Sequence, residues 1–415
     1  MAILLSNVSN ALQKVIMPYI QDNFNKQTIL LDQVKRNKGV TFMNDYFYAP
    51  IRSSRHSGIV NLANDGNSLS SGASSIGQAY VGVKILTGAF DISKLTMDAT
   101  KTAKGAVENQ LTFQASTLAS DFAKNVNRQY MGDGLGVVSQ VAGSTAATIY
   151  LQQPNASLGE GRSVDNYGTV NGDISPTEYL YPGQILGLGT AGQSVATISA
   201  VNNGTTVTLS STNPAGGSAN APVYYVDGSG EGAGTSEILG MRAALSSSTG
   251  TSTYANVARS TQGWLPQLGT TSEALTLSAM EKVYLAAKKY SQVGDRYAIF
   301  MNTTLYKKYG DILTAMRRSV NATDLLGGWT GLEFAAGAGK VGVFLDYNTP
   351  DGEVLIVNLD SWTIAQVSEM GWLEDVHGSL YRRPDKITYQ ATMAWFTNLI
   401  CLAPAANGRL TQKTG

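Results

Sequence analysis

The sequence predicts an α+β fold that carries an inserted, small all-β domain. Residues 101–130 place apolar side chains at intervals of three or four, which indicates one long helix. Residues 277–402 alternate helical patterns with β-prone runs, and residues 135–235 are rich in Gly, Ser, Thr and Asn with only short β-prone runs. A chain of 415 residues with 43% hydrophobic content is long enough for two or three domains.

The first 134 residues divide into an arm, a projecting loop and a helix. Residues 1–44 have a weak, interrupted helical pattern and five basic residues against two acidic ones, so we expect an arm with little core of its own. Residues 45–91 hold two β-prone runs around a Gly-, Ser- and Asn-rich stretch, which predicts a long two-stranded tongue; a surface loop is the alternative. Residues 92–134 contain the long helix, which would span ~45 Å.

The remaining chain predicts a β insert, an α/β body and a final long strand. Residues 135–235 form the inserted β domain, with β-prone runs at 147–151, 195–201, 205–209 and 223–226, and VNNGTTVTLS indicates a hairpin. Residues 236–371 form the body, with a strand at 297–301 (YAIFM) and a second helix that begins after a cap at Asn302 or Thr303. Residues 372–415 include the run ITYQATMAWFTNLICL, which is long enough for one extended strand or a bent pair.

The charge of the chain argues against a dedicated nucleic-acid or membrane-surface binder. Thirty Lys and Arg balance 30 Asp and Glu, so contact with nucleic acid should be weak or local. Only 14% of the residues are charged, below the roughly 25% typical of soluble domains. Two explanations remain open: much of the surface is buried against other copies of the chain, or a Gly-, Ser- and Thr-rich β protein simply carries few charges.

Cysteine content and targeting signals indicate an intracellular chain. The lone Cys401 excludes an intrachain disulfide framework and a cysteine-based zinc site. The N-terminal apolar run is too short for a signal peptide, and no stretch approaches the ~20 apolar residues of a membrane span. We therefore expect a protein that is made and kept in a cytoplasm, without a membrane partner.

No motif supports catalysis. GLGTAG at residues 187–192 matches a dinucleotide fingerprint literally, but β-prone residues follow it where a helix N-terminus is needed. AAGAGKV around Lys340 lacks the first glycine and the Ser or Thr of a phosphate loop. His56 lies in the glycine-rich tongue, and His377, although it follows two carboxylates, lies in a turn-like stretch. We predict no catalytic residue, no cofactor and no metal ligand.

The order of arm, tongue, long helix and α/β body resembles that of major capsid proteins of tailed bacteriophages, which have the Hong-Kong-97-type fold. VKRNKGVTFMNDYFYAPIRSSRHSG looks like the lead into the family's E-loop, and AYVGVKILTGAFDISKLTMDA looks like the strand that leaves it for the spine helix. MRAALSSSTGTSTYANVARSTQGWLPQLG, AIFMNTTLYKKYGDIL and GWLEDVHGSLYRRPDKITYQATMAWFTNLICLAPAANGRLT fit the body. By this resemblance, residues 1–44 would be the N-arm, 45–91 the E-loop, 92–134 the P domain with its spine helix, and 236–371 the A domain. Residues 372–415 would form P-domain strands and a C-terminal return to the A domain.

The resemblance implies assembly instead of turnover. Subunits would form homopentamers and homohexamers of an icosahedral head around double-stranded DNA, each E-loop lying over its neighbour, within a virion assembled in a host bacterial cytoplasm. The basic arm would contact the phosphate backbone of the genome without reading its sequence. Portal and decoration or cement proteins are further expected partners. Because few residues precede the tongue, we expect a separate scaffolding protein or none.

One departure from the family and two alternatives accompany this interpretation. No lysine lies between Lys38 and Lys84, so the lysine-to-asparagine crosslink that some members form from the E-loop has no donor in the tongue. An encapsulin-like nanocompartment shell shares the expected fold. A β-rich adhesin or glycan-binding protein would explain residues 135–235, but not the long helix or the mixed body.

Overall fold

A computed structural model describes most of the chain. It covers residues 33–59, 61, 71–94, 104–152, 175–189, 194–210, 221–226, 237–246, 253–261, 263–292, 294–315, 322–325, 329–336, 339–374, 380–384 and 386–414. The expected helices of the N-terminal arm, the end of the tongue at 62–70 and His377 lie outside the described residues.

Three stretches of the chain supply the secondary structure. The first contains β1 (Lys35–Arg36), β2 (Thr41–Met43), β3 (Tyr46–Arg52), β4 (Ile76–Gly82), β5 (Lys84–Ser93) and helix α1 (Lys104–Met131). The second contains β6 (Val137–Thr145), β7 (Thr148–Gln152), β8 (Ile185–Leu188), β9 (Ser194–Asn203), β10 (Thr206–Leu209) and β11 (Pro222–Tyr225). The third contains α2 (Met241–Ala244), β12 (Thr253–Tyr254), β13 (Val257–Ala258), β14 (Gln267–Gly269), β15 (Glu273–Ala274), α3 (Leu277–Lys288), β16 (Tyr297–Met301), α4 (Thr303–Ala315), β17 (Ala322–Leu325), β18 (Trp329–Ala336), β19 (Gly339–Leu345), β20 (Val354–Asn358), β21 (Trp362–Gln366), β22 (Gly371–Trp372), β23 (Leu380–Arg382), β24 (Thr388–Cys401), β25 (Gly408–Leu410) and β26 (Lys413–Thr414), with short 3-10 turns at Leu359–Ser361 and Pro404–Ala406.

The long helix α1 confirms the helix predicted at residues 101–130. Its 28 residues span ~42 Å at 1.5 Å per residue. The buried side of the helix includes small residues, Ala115, Ala119 and Ala123, so the helix can lie close to the sheet beneath it. At Gly88 of β5 an added Cβ would lie 2.9 Å from Leu118 Cδ1, which shows how closely helix and strand approach.

The strand β24 organises one sheet. Over its N-terminal part it pairs antiparallel with β5 on one side, from Thr388 opposite Ser93 to Thr397 opposite Lys84. On its other side it pairs with β21, β22 and β23 in turn, and β1 adds a parallel edge to β21, so six described strands belong to this sheet. The run ITYQATMAWFTNLICL is therefore one continuous strand instead of a bent pair.

A second sheet carries helices on one face. Its order among the described strands is β14-β25-β20-β16-β19-β18-β17. The strands YAIFM and VLIVN are buried along their whole length, which requires that both faces of the sheet are covered. Tyr297, Ile299 and Met301 pack under α3 and α4. Phe300 and Leu355 face the core shared with α1 and β24.

The β insert is a closed barrel in the order β10-β7-β6-β11-β8-β9 among the described strands. Its interior is filled by aliphatic side chains, including Val141, Ile149 and Leu186. The predicted hairpin of VNNGTTVTLS is present, since β9 and β10 pair across the turn that follows Asn203. Two strands, β6 and β8, were not predicted.

The structure corrects two details of the predicted organisation. The tongue has three described strands, because Asn44 and Asp45 adopt positive φ angles of 48° and 62° and fold β2 back onto β3. Residues 41–43 thus belong to the tongue sheet and not to the arm. The strand β21, expected within the body at 236–371, pairs with β24 in the other sheet. The remaining domain boundaries stay predictions.

Candidate assembly surfaces

The tongue sheet, β2-β3-β4, packs one face on the body of the protein. Side chains alternate along β3, and Phe47, Ala49 and Ile51 are buried together with Ala79 and Val81 of β4. These residues belong to the same apolar core as α1 and β24. The tongue is therefore anchored by the inner face of its base.

The outer face of the tongue also carries large apolar side chains, beside the polar Gln78 and Arg52. Met43 is 55% exposed, Tyr46 41% and Ile76 78%. The rings of Tyr46 and Tyr80 meet edge to face with centroids 5.4 Å apart, and those of Tyr48 and Tyr80 lie 5.6 Å apart. In an antiparallel sheet with one solvated face, apolar and polar residues alternate along each strand. The sequence of β3, YFYAPIR, is instead almost continuously apolar. The pattern is typical of a strand that is covered on both faces.

Polar contacts tie the tongue to the body at two places. At the junction with β5, Val83 N–H donates to the Asp45 carbonyl at 3.0 Å, and Asn398 Nδ2 donates to the Gly82 carbonyl at 2.6 Å. Further out, Tyr80 N–H donates to the Ala255 carbonyl at 3.0 Å, and Asn256 Nδ2 donates to the Tyr80 carbonyl at 3.2 Å. A hairpin turn distant in sequence thus contacts the edge of the tongue.

Lys84 is the first lysine after Lys38 and lies at the base of the tongue. It begins β5 opposite Thr397, and burial lowers the pKa of its ammonium group. The lysine therefore belongs to the body sheet and not to the projecting part of the tongue, which agrees with the expectation that the tongue lacks a lysine donor.

A buried charge cluster joins the end of α1 to the second sheet. Glu353 accepts hydrogen bonds from Arg242 Nε at 3.0 Å and Nη2 at 3.1 Å, and from Arg409 Nε at 3.1 Å and Nη2 at 2.7 Å. Arg242 Nη1 lies 3.5 Å from Asp133 Oδ2. All three bonded side chains are buried, and they come from α2, the start of β20 and β25.

The ends of α1 and α2 meet directly beside this cluster. Arg242 N–H, at the positive end of α2, donates to the Gly132 carbonyl at 3.0 Å. A Cβ at Gly240 would lie 2.2 Å from the Gln129 carbonyl oxygen and 2.4 Å from that of Gly132. Only glycine permits this approach of the two backbones.

A second polar junction connects α1, the barrel and the turn after β19. Asn127 Nδ2 donates to Asp346 Oδ2 at 3.1 Å, and burial raises the pKa of the Asp346 carboxyl while hydrogen bonds from Asn127 and the following backbone oppose the rise. Tyr179 of the barrel segment donates its hydroxyl proton to Asn348 Oδ1 at 2.6 Å. Arg128 of α1 lies over the Tyr179 ring, 5.6 Å from its centroid.

The described start of the chain is held at the edge of the β24 sheet. Asn37 donates Nδ2 to the Gln366 carbonyl at 3.0 Å and accepts Gln366 N–H at 2.8 Å, so its side chain continues the β1–β21 ladder. Lys38 N–H donates to Thr363 Oγ1 at 2.9 Å. These contacts hold residues 37–38 of the predicted arm at the edge of this sheet.

The residues tested for chemistry do not converge. Gly187 lies in β8 under the Tyr224 ring, Lys340 is exposed in β19, and the exposed His56 accepts Gly58 N–H at 3.1 Å in the tongue. Cys401 is buried, and burial raises the pKa of its thiol to about 12.

Two further features are absent from the described ranges. No three His, Cys, Asp or Glu side chains there form a group that could hold a metal ion. None of the helices in that part of the chain is long and apolar enough to cross a membrane.

Sequence reasoning did not find the residues that hold the tongue and the charge cluster. The turn at Ala255–Asn256 lacks the Asn-Gly or Asp-Gly pair that marks such hairpins, although the β-prone context TY-AN-VA was a partial signal. The partners Arg242, Glu353 and Arg409 are far apart in sequence, and their buried pairing left no local pattern.

Comparison with known proteins identifies the fold. No protein-family model and no curated protein sequence matches the chain. The chain is similar to the protein of the cyanophage A-1(L) capsid asymmetric unit, with 12% identity, 94% of each chain covered and a TM-score of 0.51. A capsid of a native GTA particle covers 94% of this chain and 91% of its own at 10% identity, with a TM-score of 0.43. The holo-SrpI encapsulin complex from Synechococcus elongatus covers 36% of this chain and 53% of its own at 13% identity, with a TM-score of 0.28.

The cyanophage comparison shows that the chain has the fold of a phage capsid protein. The fold class predicted from the sequence, an α+β capsid fold with an inserted all-β domain, is confirmed.

Proposed function

We propose that the chain is the major capsid protein of a tailed phage, a structural subunit that assembles as pentamers and hexamers into an icosahedral head around double-stranded DNA. The observation that carries the proposal is the apolar outer face of the tongue on a chain with a phage-capsid fold. Met43, Tyr46 and Ile76 project from a sheet whose inner face is already packed. In an assembled shell, a neighbouring copy covers this face.

The physical case rests on the cost of leaving this face in water. Monomeric proteins rarely expose large apolar patches, and aromatic residues are enriched at interaction surfaces. The low charge of the chain agrees with this explanation, because 14% charged residues leave few groups to keep free monomers apart. Of the two explanations for low charge, the proposal favours burial against other copies.

The remaining partners follow from the same proposal. A neutral net charge supports only non-specific, backbone-directed contact with the packaged DNA, with the basic arm as its site. Because Lys84 lies in the body sheet, the tongue is held on its neighbour by noncovalent contacts or by cement proteins. A portal protein and decoration or cement proteins, with a separate scaffolding protein or none, complete the assembly in the host cytoplasm, and the mature location is the virion.

The test is the assembly state of the full chain. We expect capsomers or closed shells by electron microscopy and a high-mass species by light scattering when the chain is expressed alone or with its neighbouring genes. A monomer under all conditions at high concentration would overturn the proposal. A shell that encloses a specific cargo enzyme instead of DNA would favour the nanocompartment alternative over the proposal. A monomer that binds glycans would favour the adhesin alternative.

A pair of matched variants tests the role of the tongue face. Tyr46→Ser removes an aromatic ring from the outer face of β3, and we expect a folded subunit whose assembly yield falls at least tenfold. Tyr150→Ser is the control, because Tyr150 is 46% exposed on a barrel strand and matches Tyr46 in residue type and exposure. Equal yields from the two variants would remove the tongue face as the contact that drives assembly.

A further inference from the structure

We propose that the two-residue turn Ala255–Asn256 is a positioning latch that sets the angle of the tongue against the body. The turn joins β12 and β13, whose paired residues are Tyr254 and Val257. The inference deepens the proposed function and rests on it for its effect on assembly, but the latch itself is a property of the single subunit. Asn256 is a positioning residue that acts through the backbone of Tyr80.

The register of the tongue sheet makes the latch possible. In an antiparallel pair, successive residues direct their backbone groups alternately toward and away from the partner strand. Ser53 N–H donates to the Ser75 carbonyl, so the odd-numbered residues of β4 direct their backbone groups toward β3. Pro50, which has no N–H, fits this register because it lies opposite the even-numbered Gln78. Tyr80 therefore directs its backbone groups away from β3. The turn satisfies both groups, at 3.0 Å through the Ala255 carbonyl and at 3.2 Å through Asn256 Nδ2.

The backbone of the turn is strained in the way that such a contact requires. Ala255 and Asn256 have φ angles of 49° and 60°, the left-handed conformation of a type I′ turn. Asparagine tolerates this conformation, whereas a buried alanine adopts it at a conformational cost and keeps it only where surrounding contacts determine it. The conformation directs the Ala255 carbonyl at the Tyr80 N–H.

The turn is held on the body by contacts of the adjacent Tyr254. The Tyr254 hydroxyl accepts Cys401 N–H at 2.9 Å, and Trp264 Nε1 donates to the Tyr254 carbonyl at 3.0 Å. Arg259 lies 5.7 Å from the Tyr254 ring centroid and donates to the Ala244 carbonyl at 2.9 Å. Because Cys401 ends the strand β24, the latch connects the tongue to the central strand of the body.

The latch and the junction with β5 have different roles. Gly82 and Val83 mark the point where the chain leaves the tongue sheet for the body sheet, and their bonds to Asn398 and Asp45 hold the position of that point. Tyr80 lies two residues further out, ~7 Å along the strand at 3.3 Å per residue. Apolar packing of the inner face is non-directional, so a hydrogen-bonded contact at this distance from the junction fixes the angle.

The primary test measures the Tyr80 amide in the unassembled subunit. Asn256→Asp keeps the size of the side chain but replaces the donor with a carboxylate that repels the Tyr80 carbonyl. Asn44→Asp is the matched control, because Asn44 has a φ of 48° in the β2–β3 turn of the tongue and is exposed. We expect native-state hydrogen exchange of residues 76–82 to rise about tenfold in Asn256→Asp and to stay within twofold of wild type in Asn44→Asp.

Two further variants keep the inference testable. If Asn256→Asp does not fold, Asn256→Gly removes the side-chain donor while it retains the left-handed turn, and residues 76–82 should again exchange faster. Ala255→Gly preserves the carbonyl and relieves the strained backbone, so protection of Tyr80 should persist. Unchanged exchange in both Asn256 variants would overturn the latch.

Assembly of the same variants separates the latch from the proposed function. We expect Asn256→Asp to give irregular or open particles while Asn44→Asp gives closed shells. If wild type forms no shells but the exchange difference is present, the proposed function fails and the latch stands. If shells form normally from all variants with unchanged exchange, the latch fails and the proposed function stands.

Discussion

The buried carboxylate of Glu353 offers a sharp test of how the long helix is joined to the second sheet. Glu353→Gln removes the negative charge that Arg242 and Arg409 share but keeps the volume of the side chain. Four hydrogen bonds between 2.7 and 3.1 Å connect the three groups, and Gln retains one carbonyl oxygen for them. The amide nitrogen of Gln would then face arginine N–H groups, which are donors only.

The expected loss of stability is about 3–5 kcal/mol. Two of the four bonds lose their acceptor, and hydrogen bonds to charged groups contribute about 1.5–3 kcal/mol each. Removal of one partner from a buried ion pair costs about the same amount, because the remaining charge stays buried. Asp133 stays near Arg242 at 3.5 Å, so the cost falls mainly on Arg409.

Thermal unfolding followed by tryptophan fluorescence measures this loss. Trp362 and Trp395 are buried in the sheet that packs on α1, so their emission reports on the same core. For a cooperative unit of roughly 300 residues, 3–5 kcal/mol corresponds to a Tm lower by about 5–8 °C. Glu369→Gln is the control, since Glu369 is 74% exposed and lies 3.8 Å from Arg36, and its Tm should change by less than about 1 °C. A Tm for Glu353→Gln within 1 °C of wild type would refute the reasoning.

Two more predictions concern the same junctions. Gly240→Ala places a Cβ against two backbone carbonyls at the end of α1 and should lower stability by about 1–3 kcal/mol in thermal unfolding, whereas Gly143→Ala, where a Cβ meets nothing within 4 Å, should have little effect; equal shifts would contradict the packing argument. Because burial raises the pKa of Asp346 in the folded state, the folded protein binds this proton more tightly, and the stability contributed by the protonated carboxyl is lost as pH rises through the folded pKa. The Tm of Asp346→Asn minus the Tm of wild type should therefore increase from pH 4 to pH 8. A difference in Tm that does not change with pH would show that Asp346 is not the titrating group.

Elements with a long local pattern could be predicted from the sequence. Helix α1 was found because its apolar positions repeat at helical intervals along most of its length, and β16 was found because YAIFM is apolar throughout. The barrel strand β6 was missed because Ser139 and Gln140 are buried beside Val138 and Val141, so its sequence neither alternates nor reads as a continuous apolar run.

Long-range features could not be predicted because no local pattern encodes them. The strand β21 follows β20 closely in sequence but pairs with β24 in another sheet, and only the three-dimensional arrangement decides between the two. The third strand of the tongue depends on left-handed conformations at Asn44 and Asp45, which the sequence permits without requiring. The outer face of the tongue was visible as an apolar run, but its exposure was not.

The polar groups that sequence reasoning missed share a physical role. Hydrophobic packing supplies most of the stability of a core, but it is non-directional and tolerates sliding between elements. Glu353 lies where α2 meets the second sheet, Asn256 where the tongue meets the body, and Asn37 where the arm leaves the β24 sheet. Each makes directional bonds between segments distant in sequence, so each fixes an angle that packing alone leaves free. In the proposed shell, these angles set the curvature at which neighbouring subunits meet, and substitutions at Asn256 should therefore change the regularity of particles more than the stability of the subunit.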